Sequence, residues 1–193
     1  MSRGVATGGG VLYVTYDGLL EPLGASQVLP YVLGARSAGC RMAVLSFEKP
    51  GDLDDRDRVE GLSRRLAGEG IAWHRLRYHG RPTLPATAWD VLAGRRVVRR
   101  WVRVGSGPTV IHARGYLPAL MARAATVGEA RCQLLFDMRG FWVDERIEGG
   151  YWRPGGVSAR IGRAVERRAL RAADHLILLT ERGAGRVGEL LPD

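Results

Sequence analysis

Val11-Leu12-Tyr13-Val14-Thr15-Tyr16-Asp17-Gly18-Leu19-Leu20-Glu21-Pro22-Leu23-Gly24-Ala25-Ser26-Gln27 is the stretch whose reading decides the fold. A short, almost continuous apolar run ends in Asp17-Gly18, passes through a glycine-punctuated loop and enters a helical pattern. A run this short without alternation suits a strand buried on both faces of a parallel sheet. The same grammar recurs along the chain. Candidate strands are Val11–Tyr16, Met42–Phe47, Ile71–Tyr78, Thr109–Ala113, Gln133–Asp137 and His175–Thr180. Helical patterns fall near 26–38, 54–69, 86–104, 117–127, 157–173 and 181–191, and there is no internal repeat. This βαβα order predicts an α/β class: a doubly wound, mostly parallel open sheet with right-handed crossovers and helices on both faces. Pro30 fits a first helical turn, which places Ser26 as the N-cap of the first helix. Gly39 and Gly70 stand where C-terminal caps belong.

With 193 residues the chain fits a single domain over 1–193, able to bury roughly 70% of its unfolded surface without a disulfide or structural metal. Cys40 and Cys132 lack a C-x-x-C partner or a histidine at ligand spacing, so no metal site is expected, and both read as buried reduced thiols. The apolar runs are strand-sized, far short of a membrane span, and the first ten residues form no signal peptide. The expectation is a cytoplasmic protein with residues 1–10 disordered. Of the 29 basic residues all but Lys49 are arginine, and the net charge is +9. That charge favours anionic partners without naming one.

In open parallel sheets ligands bind beyond the carboxyl ends of the strands. Asp17-Gly18, Glu48-Lys49, Arg114-Gly115, Asp137-Met138-Arg139-Gly140 and Thr180-Glu181-Arg182 all fall there. Each is also what a strand ending in a polar turn looks like; five at one edge favour a cleft. The first loop has neither the G-x-G-x-x-G nor the G-x-x-x-x-G-K-[ST] pattern, so ordinary NAD and P-loop chemistry are disfavoured. Its run into a helix N-terminus either offers free N–H groups to a phosphate or sugar hydroxyl, or merely connects. The stretch from Phe136 to Gly156 mixes acids, large aromatics and glycines, and reads as a mobile lid able to stack on sugars. Phe141 also reads as a core plug. Among the histidines, His112 sits at a strand end within reach of the cleft, while His74, His79 and His175 read as structural or solvent-facing.

Gly18 through Gln27, Ile111-His112-Ala113-Arg114-Gly115-Tyr116, Asp137-Met138-Arg139-Gly140-Phe141-Trp142 and Glu166-Arg167-Arg168-Ala169-Leu170-Arg171-Ala172-Ala173-Asp174-His175 together resemble the N-terminal domain of group 1, family 4 glycosyltransferases, the retaining enzymes of GT-B fold. The resemblance implies the acceptor-side, Rossmann-like half of a two-domain enzyme. It moves a sugar from a nucleotide-sugar donor to a glycan, lipid-linked or small-molecule acceptor. The half that binds the nucleotide sugar is not in this sequence, so the domain alone is expected to be inactive and to hold no cofactor. The resemblance assigns Asp137 and Arg139 to catalysis, and Gly18, Gly24, Ser26, Gln27, Arg114, Tyr116, Asp144, Glu145 and Thr180 to substrate binding. Many members carry a histidine at the end of the fifth strand; Asp137 and Arg139 occupy that region here, so that histidine's role does not transfer.

The alternatives are a stand-alone Rossmann-like module binding anions or nucleic acid without catalysis, though scattered arginines and the lack of a helix-turn-helix, RNP or zinc signature weigh against nucleic acid. Between Arg95 and Arg103 lie five arginines. At helical spacing Arg95, Arg99 and Arg103 align, with Trp101 suited to an interface, so this helix either lies peripherally on an anionic inner membrane face or packs on the sheet with solvated arginines.

Overall fold

The computed structural model describes residues 10–105 and 107–191. Six strands, β1 (Gly10–Thr15), β2 (Met42–Glu48), β3 (Ala72–Arg77), β4 (Thr109–Arg114), β5 (Cys132–Met138) and β6 (His175–Leu178), form one sheet in the order β3-β2-β1-β4-β5-β6. Every pairing is parallel. This is an open, Rossmann-like α/β sheet whose strand order reverses between β1 and β4. The central strands explain their apolar runs: β2 is buried throughout, and β1 and β4 nearly so. The edge strands β3 and β6 keep exposed positions, as strands with one open side should.

Among the described residues, eight α-helices surround the sheet: α1 (Leu29–Ser37), α2 (Pro50–Asp54), α3 (Arg56–Gly68), α4 (Thr83–Val104), α5 (Tyr116–Thr126), α6 (Trp142–Glu148), α7 (Val157–Ala172) and α8 (Glu181–Leu190). On one face, Val28, Leu29 and Val32 at the start of α1 and Leu66 of α3 pack with Tyr13, Met42 and Val44. On the other, α4, α5 and α7 supply Val98, Val102, Met121, Ala122, Ala169 and Leu170 to a larger core with Leu12, Val14, Leu45, Phe47, Ile111 and Phe136. Gly39 and Gly70 have φ of 93° and 71°, the left-handed caps that their positions predict.

Several local expectations change. Ser26 is not an N-cap. Helical winding begins at Pro22 and passes through a π-helical turn, Gly24–Val28, before α1. Ser26 Oγ bonds back to Pro22 O at 2.7 Å within that winding. The wider turn lets Leu29 N–H reach Gly24 O immediately before Pro30, which has no N–H to give. Helix α6 runs through the Phe136–Gly156 stretch, which the sequence reads as a loop. Asp55, whose carboxyl accepts from Arg58 N–H, separates α2 from α3. Strand β6 stops at Leu178 because Thr180 turns to cap α8, Oγ1 accepting from Gly183 N–H at 3.0 Å. Cys40 is exposed and Cys132 half-buried, and both are free, so neither is the fully buried thiol expected. Of the segment expected to be disordered, residues 1–9 lie outside the described residues, and Gly10 already belongs to β1.

Candidate functional site

The loop after β1 is built around Glu48, the last residue of β2 and fully buried. Its carboxyl group accepts from Leu19 N–H at 2.9 Å, Leu20 N–H at 3.2 Å and Ser46 Oγ at 2.5 Å. Trp73 Nε1 in turn donates to Ser46 at 2.7 Å. Gly18 N–H donates to Glu21 Oε1, and the other Glu21 oxygen meets Lys49 Nζ at 2.5 Å. The N–H groups of residues 18–20 therefore point at carboxyl groups of the protein itself, not at an open ligand cradle.

Glycine is required here by contact. A Cβ on Gly24 would stand 1.9 Å from Gly18 O, and one on Gly18 would stand 2.6 Å from Glu48 Oε2. The two segments cross backbone on backbone, and the loop is a fixed wall.

Beside it, the ends of β4 and β5 gather a different set. Parallel register pairs Thr15 with Arg114 and Arg114 with Asp137, so these side chains stand abreast at the carboxyl edge. Gln27, carried by the π-helical turn, accepts on Oε1 from Arg114 Nη2 at 2.6 Å and from Arg139 Nη2 at 3.3 Å. Arg139 Nη1 lies 3.4 Å from Asp137 Oδ1, and Arg114 Nη1 3.8 Å from Asp137 Oδ2. Asp17 Oδ2 lies 3.5 Å from Arg114 Nε. His112 Nε2 stands 3.7 Å from Asp137 Oδ2, while its Nδ1 is 3.3 Å from the Tyr31 hydroxyl. Tyr13 lies against the imidazole with ring centroids 4.4 Å apart.

His112, Arg114 and Asp137 are each at least nine-tenths buried. His112 Nε2 and Arg114 Nε make no well-formed hydrogen bond, and each faces a carboxylate at longer range, Asp137 Oδ2 at 3.7 Å and Asp17 Oδ2 at 3.5 Å. Buried donors normally make close hydrogen bonds, so these long contacts are unusual. Burial alone would raise the Asp137 pKa, but the facing His112 and the Arg139 and Arg114 guanidiniums outweigh it and hold the carboxyl below its ordinary range. Burial pushes Tyr13 up to about 12 and raises Tyr31 as well, so both stay protonated hydroxyl donors. A carboxylate, two guanidiniums, an amide, an imidazole and a phenol at one rim are donors and acceptors in both senses, the set that hydroxyl-rich molecules require.

The remaining sequence-predicted residues lie elsewhere along the edge. Tyr116 donates to Gly140 O at 3.1 Å. Burial first, then the nearby Glu166 carboxyl, raises its pKa. Asp144 is clamped by Arg163 and Arg186, whose hydrogen bonds and charge hold it below the usual carboxylate range. Arg186 also covers the Phe141 ring at 4.2 Å, and Phe141 packs on the core as a plug. Glu145 lies close to Gly140. Buried Glu166 accepts from Val143 N–H at 2.9 Å, pinning the start of α6. The structure thus brings Gln27, Arg114, Asp137 and Arg139 together. Gly18, Gly24 and Ser26 belong to the wall and its helical turn, Asp144 to an ion-pair clamp and Thr180 to a helix cap.

One rim residue, Tyr31, and one buried acid outside the rim, Asp90, escape a sequence reading. Tyr31 follows Gln27 by four residues, the spacing that puts two side chains on one helical face, and that signal was available. Asp90, in the middle of α4, had none: it is 1% exposed and accepts from Tyr16 Oη at 2.8 Å, His79 N–H at 3.0 Å and His79 Nδ1 at 2.6 Å. Among the described residues no group of three or more His, Cys, Asp or Glu is placed to hold a metal ion.

Comparison with known proteins places these features in context. No curated protein gives a significant match to the chain. A family profile described as a glycosyl transferase 4-like domain matches residues 24–193, which take in the π-helical turn with Gln27, strands β2 to β6 and every helix. That match covers most of the sequence and the same edge that gathers Arg114, Asp137 and Arg139, and the chain belongs to the glycosyl transferase 4-like domain family.

Proposed function

We propose that this domain is the acceptor-binding half of a retaining, GT-B-type hexosyltransferase and that the acceptor's reacting hydroxyl is held at the rim formed by Gln27, Tyr31, Arg114, Asp137 and Arg139. The observation that carries the reading is the gathering of Gln27, Arg114 and Arg139 around an Asp137 kept ionised by its neighbours, with Arg114 Nε and His112 Nε2 making no well-formed hydrogen bond. A polyol can satisfy both kinds of group at once, accepting from the guanidinium and donating to the carboxylate. The nucleotide-sugar donor would come from a second domain facing this edge, a cytoplasmic arrangement for an enzyme fed by nucleotide sugars.

In such a transfer the anomeric carbon gains positive character while negative charge leaves on the diphosphate. The contribution of this half is then orientation: an acceptor hydroxyl held beside the departing diphosphate, on the same face of the sugar as retention requires, gains rate because the encounter no longer has to be found by diffusion. Asp137 accepts the hydroxyl proton's hydrogen bond, Gln27 fixes both arginines, and Arg139 is the more exposed and adjustable of the two. The glycine loop contributes shape.

The test is an assay of residues 1–193 against a panel of nucleotide sugars, beside an enzyme in which the domain is joined to a donor-binding domain. The expected result is no turnover by the domain alone and turnover by the joined protein that falls with Arg139→Ala. Turnover by the domain alone would refute the division of labour. Unchanged turnover in Arg139→Ala would remove the rim from the mechanism.

A further inference from the structure

Helices α4, α5 and α7 lie side by side on one face of the sheet, with α5 touching both neighbours. Their acids, Asp90 and Glu166, are turned inward and are 1% and 2% exposed, so this layer of helices shows no acidic side chain. It exposes arginines instead: Arg96, Arg99, Arg100 and Arg103 on α4, Arg123 on α5, and Arg160, Arg167, Arg168 and Arg171 on α7. The opposite face differs. There α2 and α3 carry Asp52, Asp54, Asp57 and Glu60 among their arginines.

Exposed apolar side chains are interleaved with the cations on the basic face. Leu84, Trp89, Leu92 and Val104 stand out from α4, and Val157 and Ile161 from α7, with exposures between 43% and 83%. Shallow hollows run along both helices, one lined by Arg96, Arg99, Arg100 and Arg103, the other including Val157, Arg160, Ile161 and Arg167. The residues singled out earlier in α4 need correction. Trp101 is half-buried against the core and Arg95 donates to Ala124 O at 3.1 Å, so neither leads the outer surface. Trp89 takes the position that Trp101 was expected to hold.

We infer that the α4–α5–α7 face docks on an anionic lipid bilayer, its arginines among the headgroup phosphates and Trp89, Leu92, Val157 and Ile161 entering the boundary with the acyl chains. Charge complementarity argues for an anionic surface. The interleaved apolar groups argue for lipid over nucleic acid, since a phosphodiester backbone gives them nothing to bury against, whereas a bilayer interface takes both kinds of side chain in one plane. The inference is independent of the acceptor rim, which lies at the carboxyl edge of the sheet.

The test is co-sedimentation of the chain with phosphatidylcholine vesicles and with vesicles containing phosphatidylglycerol, at low and high salt. Binding is expected only to the anionic vesicles and is expected to weaken with salt. Each arginine near the surface contributes about fivefold in partitioning, so Arg99→Glu with Arg103→Glu is expected to reduce binding on the order of 20-fold or more. The same charge change on the opposite face, Arg64→Glu with Arg65→Glu, is expected to change it little. Trp89→Ser with Ile161→Ser keeps every charge and is expected to lower vesicle binding without changing retention on duplex DNA. Melting curves confirm that each variant is folded. Equal loss from both charge reversals would reduce the effect to net charge and overturn the assignment of a face. Vesicle binding indifferent to the Trp89 and Ile161 pair would overturn insertion and leave a general polyanion surface.

Discussion

The loop after β1 and the rim at the ends of β4 and β5 use similar residues, acids, arginine or lysine, glycine and aromatics, at the same edge of the sheet. Their polar groups meet different fates. In the loop, the Gly18, Leu19 and Leu20 N–H groups all end on Glu21 or Glu48, and the backbone of Gly24 rests on that of Gly18. At the rim, two buried nitrogens make no well-formed hydrogen bond, and contacts of 3.4–3.8 Å hold Asp137 among three cationic or ionisable neighbours. A site that spends its donors on itself is scaffold. One whose buried nitrogens make only long contacts keeps hydrogen-bonding capacity that a ligand can use, which is the basis of the proposed acceptor rim.

The sharpest way to break this comparison is to damage the scaffold side. Gly24→Val drives side-chain atoms into the Gly18 backbone, where no flexible group can yield, and is expected to cost at least about 3 kcal/mol or prevent folding. Glu48→Ala strands two buried N–H groups and is expected to cost about 4 kcal/mol in urea unfolding. Either variant retaining wild-type stability would show that the loop is not fixed by these contacts.

The rim is expected to respond in the opposite sense. Arg139→Ala removes a 36% exposed guanidinium and is expected to shift stability by less than about 1 kcal/mol. In the joined enzyme it is expected to lower kcat/KM by about 100-fold. If instead it melts the domain while sparing turnover, rim and loop exchange roles.

A smaller effect sharpens the electrostatic side. Asp137 and Asp144 both have carboxyl groups held below the ordinary range in the folded state. Their contribution to stability is therefore complete above the unfolded-state value near pH ~4 and is lost as pH falls through the folded values. Asp144→Asn is expected to lower stability at neutral pH while flattening its acid-side decline. An acid limb identical to wild type would mean that the Arg163 and Arg186 clamp carries no linkage.

The sheet was legible because continuous apolar runs such as Met42–Phe47 have few homes other than a doubly covered strand, and glycines at 39 and 70 mark their helix ends. Local events set by competition were not legible. Ser26 has the chemistry of an N-cap, yet Pro22 can start a helix earlier and a π-helical turn brings the chain past Pro30. The aromatic and glycine-rich run after Phe136 reads as a loop in one dimension, but it contains α6, whose first turn is contacted by Glu166, Arg163 and Arg186 from α7 and α8. Gln27, Arg114, Asp137 and Arg139 could be assigned to one edge by strand order alone. That Glu48, from the same edge, turns inward depends on the loop that covers it, which no local pattern encodes.

The most direct measurement follows the side-chain signals of Arg114 Nε–H and the Gln27 amide, together with the backbone amides of Leu19 and Leu20, by nuclear magnetic resonance while the chain is titrated with a panel of mono- and oligosaccharide acceptors. The account predicts that an acceptor that binds moves the Arg114 and Gln27 signals and leaves Leu19 and Leu20 in place on Glu48. Shifts centred on Leu19 and Leu20, with Arg114 Nε–H unmoved, would contradict it and return the binding role to the glycine loop.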